Sequence, residues 1–271
     1  MNLQQVKWER GKTGKMKILM LGDVSRSLSC RYLEQTLPRF QQENEVSFTV
    51  INGENSAERN GIDKESAQAL FSAGADVITT GNHVFRNFEA KRLLEENPRI
   101  LRPANFPGSV PGDGVCLTKA EGYSILVINL MGVVMMEPLE NPFMAVDRIL
   151  ERYKGRYDLS LLDFHAETTS EKLALAHYVD GRITVMAGTH THVATADEGI
   201  LPRGTAYITD LGMCGPDGSV LGIKPECIIE KMTTYLPVKF IPSENHVTAH
   251  GILAEVDGNT GRAVSIRRVA F

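Results

Sequence analysis

Ile183-Thr184-Val185-Met186-Ala187 runs directly into Gly188-Thr189-His190-Thr191-His192: a short apolar segment, a glycine, then two imidazoles. The same grammar recurs four times. Lys17-Ile18-Leu19-Met20-Leu21 stops at Gly22-Asp23, and Phe48-Thr49-Val50-Ile51 stops at Asn52-Gly53-Glu54-Asn55. Asp76-Val77-Ile78-Thr79-Thr80 stops at Gly81-Asn82-His83, and Leu159 to Phe164 at His165. Val- and Ile-rich runs of this length, cut off by glycine, read as buried strands. Ligands of an open α/β sheet gather beyond the carboxyl ends of its strands. Asp, Glu, Asn and His from five strand ends are therefore expected at one spot, the layout of a site for more than one metal ion.

Helical segments alternate with these strands, which argues for βαβ units and a largely parallel sheet. Arg31 to Gln42 has helical spacing, although Pro38 is expected to bend or shorten it. Asp63 caps a helix ending at Gly74, and Asn87 caps another that Pro98 ends. Asn141-Pro142 is a cap followed by proline at the first helical position, with Gly155 past the end. Thr169 or Ser170 opens a helix that stops at Gly181. In the tail, Thr205–Thr209, Val238–Ile241, Gly251–Val256 and Ala263–Val269 read as strands, with an antiparallel hairpin expected to complete a second sheet.

With 271 residues, 42% of them hydrophobic, the chain can build one large core, and no repeat or linker divides it. Residues 16–271 are expected to form one domain. Residues 1–15 have no apolar stretch of a secretory signal and are expected to be a disordered or start-site-derived extension, with Met16 opening the first strand. The net charge is −4 and no block of Lys and Arg occurs, which excludes a basic face for long nucleic acid but not a nucleotide-sized substrate. The longest apolar stretch, Ile125 to Met136, is broken by Asn129 and Gly132 and is too short for a bilayer. Cys30, Cys116, Cys214 and Cys227 are scattered, so they suit a reducing, cytoplasmic setting as small buried hydrophobes. Met131, Met135 and Met136 are expected to be exposed and to serve a homo-oligomer interface.

Residues 190 and 192 follow a strand and alternate, so both imidazoles are expected to face one site. His177, His246 and His250 lack such company and read as ordinary polar residues. Carboxylate, carboxamide and imidazole together suit iron, manganese or zinc better than calcium or magnesium, which prefer all-oxygen shells. Glu54 is the natural bridge between two ions, with Asp23 on the first and Asn82 on the second. Asp197 and Asp210 are candidates either for accepting a free imidazole N–H or, equally, for serving as turn or cap carboxylates. Asn105 and Phe106 either line the substrate pocket or simply pack a loop.

Together these five motifs resemble the calcineurin-like metallophosphoesterases, and within them the YmdB-type 2′,3′-cyclic-nucleotide phosphodiesterases. The resemblance runs from Met16 to Phe271 and includes Arg102-Pro103-Ala104-Asn105-Phe106-Pro107 and Asp163-Phe164-His165-Ala166-Glu167. It implies a four-layer α-β-β-α sandwich of two mixed sheets flanked by helices, with the site at one edge. It implies that metal one takes Asp23, Glu54, Asn55 and His192, that metal two takes Glu54, Asn82, His165 and His190, and that His83 is the general acid. Two metal ions, iron first with manganese or zinc as alternatives, would serve a small phosphodiester or nucleotide substrate, breaking the bond to O2′ and leaving a 3′-phosphate. Other chemistry on the same cluster, such as phosphomonoester or RNA-end hydrolysis, and a silent metal-binding regulatory protein are the alternatives. Two departures bear on substrate preference: Val24-Ser25-Arg26-Ser27-Leu28-Ser29-Cys30 replaces a glycine-containing turn, and Arg86 stands where an acidic residue is common.

Overall fold

The computed structural model describes residues 14–271. β1 (Lys15–Leu21) and the short β2 (Asp23–Val24) lead into α1 (Arg26–Asn44); β3 (Phe48–Asn52), α2 (Lys64–Ala73), β4 (Val77–Thr79), α3 (Glu89–Glu96) and β5 (Ile100–Leu101) continue the alternation. β6 (Val115–Ala120) and β7 (Tyr123–Met131) form a hairpin, followed by α4 (Pro142–Tyr153), β8 (Leu159–His165), α5 (Thr169–Val179) and β9 (Val185–Thr189). β10 (Gly199–Ile200), β11 (Ala206–Ile208), β12 (Met213–Pro216), α6 (Pro225–Thr234), β13 (Val247–Thr248), β14 (His250–Asp257) and β15 (Arg262–Ala270) complete the order.

Among the described residues the strands form two six-stranded sheets, ordered β15-β14-β1-β3-β4-β5 and β10-β11-β9-β8-β7-β6, and a small sheet β13-β12-β2. Alternation along each strand decides what it faces. In β1, Ile18 and Met20 join Phe48, Val50, Ile125, Val127, Leu161 and Val185 in the layer between the sheets. Their neighbours Leu19 and Leu21 point the other way, onto Leu33 and Leu37 of α1 and Leu70 of α2. Across the second sheet, Leu126, Ile128 and Phe164 meet Val146 and Ile149 of α4 and Leu175 of α5. The result is helix, sheet, sheet, helix, with each buried Leu or Ile contributing about 1.5–3 kcal/mol. This is the expected sandwich.

Several helix signals are realised as read. Asp63 accepts from Ser66 N at 2.8 Å in a capping box, and Gly74 closes α2 in the left-handed region. Asn141 accepts from Phe143 N at 2.9 Å with Pro142 at the first turn. Asn87 accepts from Glu89 N at 3.0 Å, although the helix proper begins at Glu89. The four cysteines are buried and free.

Other expectations fail for physical reasons. The helix α1 starts at Arg26 and passes through Pro38 to Asn44 without being shortened. Lys15 already belongs to β1, paired with Asp257, so the strand opens before Met16; the expectation for residues 1–13 lies outside the described residues. The β14–β15 hairpin joins the first sheet, not the second, because β14 pairs with β1 in the register Leu19↔Leu253. Ile252, Ala254 and Val256 then face the layer between the sheets while Leu253 faces the helices, and an interior strand needs both faces apolar. Val238–Ile241 is no strand; Pro237 and Pro242 bracket it and neither has an N–H for a ladder. The helix α6 was not foreseen, although Pro225 at its first turn is a start signal. Met131 is fully buried at the end of β7, and of the three methionines Met135 is the one strongly exposed.

Candidate metal centre

β1, β3 and β4 run parallel in one sheet, and β7, β8 and β9 run parallel in the other. Their carboxyl ends bring all seven expected ligands and His83 into one contact network. Asp23 is held by β2, which pairs in parallel with β12 and donates Asp23 N to Gly212 O at 3.2 Å. Its carboxylate is fully buried; Oδ2 accepts from His190 N at 3.1 Å, while Oδ1 has no hydrogen-bond partner and lies 3.7 Å from His192 Nε2. Glu54 is also fully buried. Its Oε1 accepts from His83 N at 2.9 Å and its Oε2 has no donor. Gly81 explains the glycine before Asn82-His83: a Cβ there would lie 1.7 Å from Glu54 Oε2 and 2.3 Å from His165 Nε2.

His165 Nε2 is the hub. It stands 3.0 Å from His190 Nδ1, 3.1 Å from Asn82 Oδ1 and 3.1 Å from Glu54 Oε2. His190 Nε2 is in turn 2.9 Å from Glu167 Oε2. Lone pairs crowded in this way repel unless a proton or a metal ion lies among them. Counting only His, Cys, Asp and Glu, no three side chains among the described residues are already arranged around one point as an ion cage. The carboxamide of Asn82 completes the group, however, and neighbouring donors on one octahedral ion at ~2.1 Å would stand about 3 Å apart. The donor set and its two orphaned carboxylate oxygens therefore fit metal ions. Asn55 enters with its ends reversed from the expectation: Oδ1 lies 2.9 Å from His83 Nδ1, while Nδ2 faces His192 Nε2 at 3.3 Å. A half-turn of the carboxamide would present oxygen to His192 instead.

The two histidines reach the site differently from the simple alternation expected. The strand β9 ends at Thr189, and His190 and His192 both take positive φ, 102° and 66°. Such backbone is uncommon for residues with a Cβ and persists where the surroundings enforce it. Asp210 does so here: it accepts from Thr191 N at 3.2 Å, Thr191 Oγ1 at 2.8 Å and the buried Lys172 ammonium at 2.7 Å. Asp210 thus holds the loop and not an imidazole, and Asp197 bonds Thr195 and Thr209. Neither aspartate accepts a histidine N–H, so of the two readings both serve as loop carboxylates. Asn105 clamps a loop through Met131 O and N and Glu140 O, and Phe106 packs edge-on against Phe85, while both also line a cavity of about 590 Å³ beside Arg102 and Tyr153.

Burial raises both carboxyls, Asp23 to about 6 and Glu54 to about 7, and lowers His165, His190 and His192. Burial, followed by the charge of Arg86, pushes His83 down to about 4. Arg86 is exposed on the turn after His83, its N–H donating to His83 O at 2.8 Å. A cleft of about 520 Å³ opens beside His192, lined by Val193, Met213, Asp217, His250 and Arg268, and such a volume suits a small ligand.

Sequence reasoning missed Asp163, Thr189, Glu167 and Lys172 as supports of the site. A signal existed for one of them: Asp163 is an acid inside the otherwise apolar run Leu159 to Phe164.

Residues 19–269 match the family of YmdB-like proteins. A 2′,3′-cyclic-nucleotide 2′-phosphodiesterase of Bacillus subtilis (strain 168) is 43% identical over 94% of this chain and 96% of its own. A hypothetical protein of known structure from Thermus thermophilus superposes with a TM-score of 0.88 at 38% identity, covering 94% of this chain and 99% of its own. A Mycoplasma pneumoniae structure described as a novel phosphatase also gives 0.88, at 32% identity over 95% of this chain and 93% of its own.

Proposed function

Because the chain belongs to the YmdB-like family, we propose that it is a metal-dependent phosphodiesterase opening 2′,3′-cyclic phosphates of nucleotides, with two divalent ions held by Asp23, Glu54, Asn55, Asn82, His165, His190 and His192. One observation carries this reading: buried Asp23 Oδ1 and Glu54 Oε2 have no hydrogen donor, although they sit among imidazole nitrogens. An unpaired buried carboxylate oxygen costs several kcal/mol unless a cation meets it. The donor set accepts iron, manganese or zinc alike, and iron is the first of these on the family resemblance. Bound there, such ions supply positive charge for the phosphate and a water acidic enough to attack at neutral pH.

The chain's own residues do the rest. Glu54 Oε1 takes the His83 N–H and so fixes the turn that carries the imidazole. His83 Nδ1 faces the Asn55 carboxamide, so Nε2 is left to carry the proton given to the leaving sugar oxygen. Burial and Arg86 keep this ring neutral on its own; an anionic phosphate beside it favours the protonated form. Arg86 adds a second positive charge at the rim for the same anion. The cleft beside His192 has room for the nucleoside.

The test is turnover of 2′,3′-cyclic AMP against p-nitrophenyl phosphate, with metal content measured on the same sample. The expected result is preferential opening of the cyclic diester to the 3′-phosphate, lost on chelation and restored by Mn or Fe. Equal or better hydrolysis of the monoester would replace this substrate assignment, and turnover unaffected by complete chelation would remove the metal reading.

A further inference from the structure

The Thr189 hydroxyl has one proton and meets three groups: Asn52 Nδ2–H donates to its oxygen at 3.3 Å, and two others approach the same oxygen. Asp163 Oδ1 lies 2.7 Å away and His165 Nδ1 lies 2.9 Å away. Asp163 also receives Asn52 Nδ2–H at 2.9 Å and the Thr79 hydroxyl at 2.5 Å, both on Oδ2. A carboxylate surrounded by three donors acts only as an acceptor, so the Thr189 proton goes to Asp163. The Thr189 oxygen then has only a lone pair left for His165, and Nδ1 must be the donor. Neutral imidazole carries one N–H, so Nε2 is left bare. Nε2 is the atom facing Asn82, Glu54 and His190.

We propose that Asp163 and Thr189 are a positioning pair that fixes His165 as the Nδ1–H tautomer and so reserves its Nε2 lone pair for a cation. The inference rests on the metal reading above for its purpose, but the tautomer itself follows from hydrogen bonds alone. Thr189, Asp163 and Asn52 are buried, so no solvent competes for the protons. The pair is also tied across the layers, since Asp163 and Thr189 lie in the second sheet while their donors Asn52 and Thr79 lie in the first. The orientation of one imidazole is thereby tied to the packing of sheet on sheet.

The test compares wild type, Thr189→Val and Thr189→Ser. Two quantities are measured: the His165 tautomer by ¹⁵N NMR of histidine-labelled protein without added metal, and Mn affinity and stoichiometry by calorimetry. Wild type and Thr189→Ser are expected to show Nδ1–H and two ions per chain. Thr189→Val, which keeps the shape and loses the hydroxyl, is expected to populate the Nε2–H form and to weaken one ion ~10–100-fold. A Thr189→Val protein with wild-type tautomer and affinity overturns the proposal, as does Thr189→Ser failing as badly as Thr189→Val. If Thr189→Val does not fold, Thr189→Ala takes its place, with the same expected and overturning results. Wild type that binds no divalent ion sinks the metal reading, while the tautomer readout still decides the pair.

Discussion

Two buried carboxyls set how the site meets protons and metals. Asp23 and Glu54 are raised by burial to about 6 and about 7, so without a cation each holds a proton well above the ordinary carboxylate range. A ligating carboxylate must shed that proton. Metal affinity is therefore expected to level off about one pH unit above 7 and to weaken below it, approaching roughly tenfold per pH unit for each proton displaced. The imidazoles are shifted the opposite way and compete with the cation less than free histidine would. Calorimetric titration with Mn at pH 5.5, 6.5 and 7.5 checks the slope; affinity that rises on acidification contradicts it. His83 is a different case, since its side chain meets Asn55 and Glu54 without being required to hold an ion. His83→Ala is expected to keep both metals and lose ~10²–10⁴-fold in turnover, measured by metal analysis beside steady-state kinetics.

At the scale of elements, the loop from Gly188 to His192 is the part whose shape costs most. Its two left-handed histidines depend on Asp210, and Asp210 depends on Lys172, whose side chain is fully buried. The Lys172 stem also packs on Gly188, where a Cβ would lie 2.9 Å from Cδ. Lys172→Met keeps that stem and strands the Asp210 charge, so it is expected to cost ~3–5 kcal/mol. Urea unfolding reads that loss, and unchanged stability would show that the pair contributes little.

Elements also show how far the sequence could be read. The five strand ends were legible because each couples an apolar run to a glycine and a ligand-type residue, a pattern visible within ten residues. The tail was not, because β14 is chosen by β1, more than two hundred residues away, and pairing over that span leaves no local mark. Asp163 hid for a related reason: its partners Asn52 and Thr79 lie in the other sheet. Asp210 was noticed, but which donor it would meet depended on where α5 placed Lys172.

Across the whole molecule, the ligands divide between the layers. Asp23, Glu54, Asn55 and Asn82 follow strands on the side of the first sheet, while His165, His190 and His192 follow strands of the second. Ions shared between them, as proposed above, would act as cross-links as well as cofactors. Binding to the native state alone stabilises by about 2.7 kcal/mol at a hundredfold excess over Kd. Chelation is therefore expected to lower the melting temperature by several degrees, and calorimetric scans with and without EDTA measure it. An unchanged melting temperature would mean the ions do not brace the two sheets.

The pairing of β1 with β14 reaches further. The strand that leads into Asp23 completes its hydrogen bonding only when a segment some 230 positions downstream arrives beside it. Closures over such long stretches are slow compared with helix formation. After dilution from denaturant, helical circular dichroism should return first, and enzyme activity should lag behind it until that distant ribbon has docked.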